Sequence, residues 1–113
     1  MNRNEKNTEI RGLSLPILDL RGDKFIGDEP TFGDAIFSLC RRLYTRQSVE
    51  QKIVIFEVLK KLRIPTDTVS LSESEIEAVK DIALTLASAE YSGRICELLD
   101  AGGIIQDEVK RDA

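Results

Sequence analysis

The side chains that could do chemistry here are few in kind. The sequence carries 20 carboxylates, 16 lysines and arginines, and two cysteines, but no histidine and no tryptophan. Without imidazole the commonest general base, the usual zinc ligand and the physiological pH switch are all missing. Cys40 and Cys96 are too few for a four-thiolate metal site or a disulfide framework. Each stands among apolar residues at helical spacing, where a thiol behaves as a small hydrophobe. No serine or cysteine has a base to activate it, and no Gly-rich phosphate loop is present. Paired carboxylates can work alone on glycosides, but that needs sugar-stacking aromatics, and aromatics make up only 5% of the chain. Glu73, Glu75, Glu77 and Asp81 read instead as a solvated helix face. Asp19, Asp23 and Asp28 lack the spacing and the terminal glutamate of an EF-hand loop. We therefore expect no enzyme, no catalytic residue, no metal and no cofactor.

Binding chemistry is the richer vein. Arg21-Gly22-Asp23 matches an integrin-binding tripeptide, yet it reads first as turn chemistry. Charge is strongly segregated: residues 41–63 carry a net +5, residues 64–113 a net −7, and the whole chain −4. Such separation steers charged partners, or brings copies together basic end to acidic end. Two helices around a break in this basic stretch could mimic a helix-turn-helix. A recognition helix, however, needs polar side chains facing the bases, and here Ile53, Val54, Phe56 and Val58 stand where readers are required. With an acidic balance overall, nucleic acid is disfavoured as a partner. A basic membrane-surface helix would need a clean polar face, which is absent. No apolar run approaches a membrane span, and the polar start from Met1 to Gly12 has no apolar signal stretch, so the expected location is the cytoplasm.

These residues must be positioned by one domain, since 113 residues with 42% apolar content suit a single modest core. The pattern predicts a mostly α fold: an N-terminal β-hairpin packed on a bundle of three to four helices. Residues 1–12 are expected to be disordered, 13–103 to form the domain, and 104–113 to be a frayed tail. Leu15 to Leu20, the turn at Arg21-Gly22-Asp23 and Lys24 to Ile26 read as strand, turn, strand. Thr31 opens a first helix to about Tyr44, with Phe32, Ile36, Leu39, Cys40 and Leu43 on one face. Ser48 and Gln51 make a capping box for a second helix that Pro65 ends near Arg63. Ser72 and Glu75 make a third box, with Leu71 and Ile76 as a hydrophobic staple, for a helix to about Ala89. A fourth helix, from about Ser92 to Ala101, is stopped by Gly102-Gly103.

The second helix has apolar residues to spare. Ile55, Val58, Leu59 and Leu62 make one face, while Val49, Ile53 and Phe56 project from another. Glu50, Glu57 and Lys61 form the solvated strip, with Glu57 and Lys61 as an i,i+4 pair. The favoured reading places this helix centrally, covered on both sides; the other lets its second face meet another chain. The two are compatible. Val49, Ile53 and Phe56, flanked by Arg42, Arg46 and Lys52, are thus the candidate partner-binding residues, with apolar anchors inside and cations at the rim.

Leu18-Asp19-Leu20-Arg21-Gly22, Thr31-Phe32-Gly33-Asp34-Ala35 and Leu71-Ser72-Glu73-Ser74-Glu75 together resemble small uncharacterised bacteriophage and prophage accessory proteins. The likeness spans about residues 15–100. It departs at Tyr91-Ser92-Gly93-Arg94, where that group has a proline-containing, valine-rich segment. The resemblance implies phage origin and a small accessory role, and it assigns no catalytic residue. The resulting expectation is a protein–protein interaction module that binds a host or defence factor as an inhibitor, or other copies of itself. The alternatives are a regulator touching nucleic acid, and a virion-assembly or chaperone component acting as a homo-oligomer.

Overall fold

A computed structural model describes residues 6–25, 31–42 and 47–104. Among the described residues the fold is mostly α, with four helices and a two-stranded antiparallel sheet. In chain order the elements are β1 (Asn7–Arg11), α1 (Phe32–Cys40), α2 (Val49–Leu62), β2 (Thr68–Ser72), α3 (Glu73–Leu86) and α4 (Ala89–Ala101).

The serine and threonine caps do what their chemistry requires. The side chains of Thr31, Ser48, Ser72 and Ser88 accept hydrogen bonds from Asp34, Gln51, Glu75 and Tyr91 backbone N–H groups, each relieving an orphan donor of the first turn. At Ser72 the box is reciprocal, because the Glu75 carboxylate accepts from the Ser72 N–H at 2.7 Å. Leu71 and Ile76, the staple pair, are both buried. Beside β1, Gly102 ends α4 in the left-handed region at φ 85°.

The strands lie where the sequence reading did not put them. β1 falls within the segment expected to be disordered, and it pairs with β2 in the register Ile10↔Val69, Thr8↔Leu71. Ile10, Val69 and Leu71 point into the core. The stretch from Leu15 to Lys24 forms the expected turn but only one antiparallel bridge, Leu18↔Lys24. Backbone bonds close the turn, from the Asp19 N–H to the Asp23 carbonyl and from the Gly22 N–H to the Asp19 carbonyl, and side chains take up further groups. Asp19 Oδ1 accepts from the Arg21 and Asp23 N–H groups, Glu90 accepts from the Leu20 N–H, and Arg94 Nε donates to the Leu18 carbonyl. Phe25 also packs edge-on against Tyr91 at 4.8 Å. This excursion is therefore fastened to α4. Ile26, the end of the expected second strand, lies outside the described residues.

Two helix ends shift as well. α3 stops at Leu86 and α4 begins at Ala89, so Ser88 is the cap. Ser92, expected to start the fourth helix, is buried inside it with its hydroxyl donating to the Ala89 carbonyl. α1 is described to Cys40, and the expected Leu43 and Tyr44 lie outside the described residues. Residue 104, expected to begin a frayed tail, is docked: Ile104 is buried, and its N–H donates to the Arg11 carbonyl at 2.9 Å.

The core gathers Phe32, Ala35, Ile36 and Leu39 of α1, Ile55, Val58 and Leu62 of α2, Ile76, Val79, Ile82 and Ala83 of α3, and Ile95, Leu98 and Leu99 of α4. Ile10 and Leu71 seal it from the sheet side. These are the faces expected from helical spacing, with Leu59 and Leu86 only partly buried at the margin.

Candidate partner-binding surface

α2 begins at the Ser48 cap and is held by its inner side. Ile55, Val58 and Leu62 enter the core, and Gln51 donates to Asp81 of α3 at 2.8 Å. Lys61 is exposed, as expected, but its partner is not Glu57. Its ammonium donates to Glu75 Oε1 at 2.7 Å and to the Ser70 carbonyl at 2.8 Å. Glu75 is correspondingly buried rather than on a water-facing surface, so one carboxylate closes the α3 cap and anchors α2. Sequence spacing along one helix cannot reveal such a contact, because Lys61 and Glu75 meet only after β2 has turned the chain back. Glu57 pairs with Lys60 instead, at 2.9 Å.

The favoured central placement of α2 is not what the structure has. Val49, Ile53 and Phe56 are 74%, 61% and 58% exposed. At 100° per residue they form one stripe, roughly opposite the core-facing residues. Lys52 is exposed beside it, and Arg42 is exposed just past the end of α1. Arg46 lies outside the described residues. One member of the surface was missed: Lys60 extends the stripe by a turn, with its ammonium 5.2 Å from the centre of the Phe56 ring. Its i+4 spacing from Phe56 was the available signal. Among the described residues no ion pair engages Lys52 or Arg42.

A cleft of about 490 Å³ opens beside the start of α1, between Leu13, Ser14, Asp34 and Phe37 and the Arg63–Asp67 connection. Its apolar wall includes Leu62, Ile64 and Pro65. Of its carboxylates, Asp67 is engaged by the Ser14 hydroxyl at 2.5 Å. Among the described residues no cluster of three carboxylates or thiols could hold a metal ion, and no helix is long and apolar enough to cross a membrane.

The thiols differ in burial. Cys40 is in the core, and burial pushes its pKa from 9.0 up to about 12. Cys96 is only partly buried; desolvation also raises it, against the opposing charge of Lys80. Between 9.0 and about 12 the unfolded chain releases a Cys40 proton that the native state keeps. Stability from this residue therefore falls as pH rises through that window, by about 1.4 kcal/mol per pH unit. Urea titrations at pH 8 and 10, which reach one unit into that window, should show a loss of about 1.4 kcal/mol in the native chain and a smaller one in Cys40→Ala. At pH 8 a thiol reagent should label Cys96 in the folded protein and reach Cys40 only on unfolding.

No protein-family model, no curated protein and no solved structure matches this chain.

Proposed function

We propose that this chain is a non-enzymatic protein–protein interaction module, a phage-type accessory protein that binds a host or defence factor, or another copy of itself, through the outward face of α2. The observation that carries the reading is the exposed stripe of Val49, Ile53 and Phe56, three large apolar side chains on the side of α2 turned away from the core. Scattered apolar residues on a surface are ordinary; three successive ones along a single helix face are the signature of an interface. Lys52 at the edge of the stripe and Arg42 nearby in sequence supply directional charge, and Lys60 adds to the stripe itself. The helix presents anchors at i, i+4 and i+7, the spacing by which amphipathic helices meet partner grooves and helices.

The test is affinity capture from bacterial lysate with the native chain and with Phe56→Asp. Because Phe56 is largely solvent-facing, the variant should keep its helical circular dichroism and a melting temperature within a few degrees of the parent. Specific capture should be lost, since a buried aromatic anchor contributes roughly 2 kcal/mol or more at an interface. Capture that is unchanged by Phe56→Asp in a folded protein would overturn the reading.

A further inference from the structure

We propose that the occupant of the α2 face is a second copy of the same chain, with the two α2 helices side by side and parallel. The inference rests on the reading of that face as an interface and names its partner. Val49, Ile53, Phe56 and Lys60 recur at intervals of four, three and four residues, the d-a-d-a spacing of a short coiled-coil seam. In that frame Lys52 occupies the g flank and Glu57 the e flank of the same seam.

Charge decides the direction. In a parallel pair, a g residue faces the e residue of the other helix five positions on. Lys52 then meets Glu57 of the second copy, and two-fold symmetry makes the same contact twice. In an antiparallel pair with Ile53 over Phe56, the e flanks face each other and Glu50 meets Glu57, a like-charge contact made twice. The parallel arrangement is the complementary one. Lys60 would lie at the end of the seam beside its own counterpart, but its ammonium is drawn toward Glu57 at 2.9 Å. Glu57 can therefore serve Lys60 of its own helix and Lys52 of the other.

Three apolar side chains from each copy fall well short of the ~800 Å² per partner found in stable complexes. The pair is accordingly a weak one, populated in the micromolar range and above.

The experiment is sedimentation equilibrium of the full chain from roughly 10 μM to 1 mM. The expected result is a concentration-dependent rise from monomer to dimer mass, with Phe56→Asp monomeric throughout. Lys52→Glu should raise the dimer dissociation constant roughly three- to tenfold, by replacing two attractive contacts with two repulsive ones. Adding Glu57→Lys to Lys52→Glu should restore it, because the flanks are then exchanged. Circular dichroism verifies the fold of each variant, with Ile53→Ser as the substitute should Phe56→Asp be unfolded. A native chain that stays monomeric at every concentration overturns the proposal. So do masses growing beyond the dimer, a dimer indifferent to Phe56→Asp, or a double variant no tighter than Lys52→Glu. A monomer whose lysate capture still depends on Phe56 would sink the second copy alone and leave the broader interaction reading in place.

Discussion

Replacing Gly103 by alanine should destabilise the protein severely, by about 4 kcal/mol or more, a large share of the 5–15 kcal/mol typical of a domain. Two effects add. Gly103 sits at φ 102°, a conformation that L side chains rarely adopt, which alone costs about 1–3 kcal/mol. A Cβ there would also overlap the backbone N, C and O of Arg11. That overlap cannot be relieved by a rotamer change, because the colliding atoms belong to β1, whose register with β2 holds them in place. Gly102 is the internal control. It too has a positive φ, 85°, but the nearest atom to an added Cβ is the Glu9 carbonyl oxygen at 3.7 Å, an ordinary contact. Gly102→Ala should therefore lose only about 1 kcal/mol, the usual penalty for a non-glycine at this helix end. Urea denaturation of the two variants checks the contrast. Equal effects would mean that strain at the helix terminus, and not the approach of β1, governs this corner.

Ile10→Ala should destabilise the protein by about 3 kcal/mol, within the range for truncating a fully buried isoleucine. Ile10 has no solvent exposure and lies opposite Val69, between the sheet and the helices. Its neighbours in β1 are exposed, so Thr8→Ala and Glu9→Ala should each change stability by less than about 0.5 kcal/mol. Thermal or urea unfolding separates these outcomes. A small effect at Ile10 would show that β1 is an ornament rather than part of the core.

The contrast between Ile10 and its neighbours also explains how far the fold was legible in sequence. Three helix starts were readable because a cap is a local device: Thr31, Ser48 and Ser72 each act on an N–H three residues away, whereas the Ser88 cap was passed over for Ser92. Apolar helix faces were readable for the same reason, through a fixed angular spacing. β1 was not, since a strand that buries one residue of five carries no alternation to detect. β2 did carry it, in Val69 and Leu71 between exposed Thr68 and Ser70, but as a short stretch beside a strong capping box. Between Leu15 and Lys24 the expected ladder is reduced to one bridge, and Glu90 and Arg94, some seventy positions away in sequence, bond the Leu20 N–H and the Leu18 carbonyl. The surface on α2 was partly legible. The surplus of apolar residues was visible in the spacing, whereas their exposure depended on how little of the chain covers α2, which no local pattern encodes.

Arg11 ties together segments far apart in the described chain. Its N–H donates to the Gly102 carbonyl and its carbonyl accepts from the Ile104 N–H, while β1 pairs along its length with β2. An early stretch of the described chain is thus finished by a much later one. Until Ile104 has cleared the ribosome, β1 cannot complete its bonding, and nascent chains must keep that edge out of trouble without its final partner. Closing so wide a loop also predicts a slower folding step than a four-helix protein with only neighbouring contacts would show.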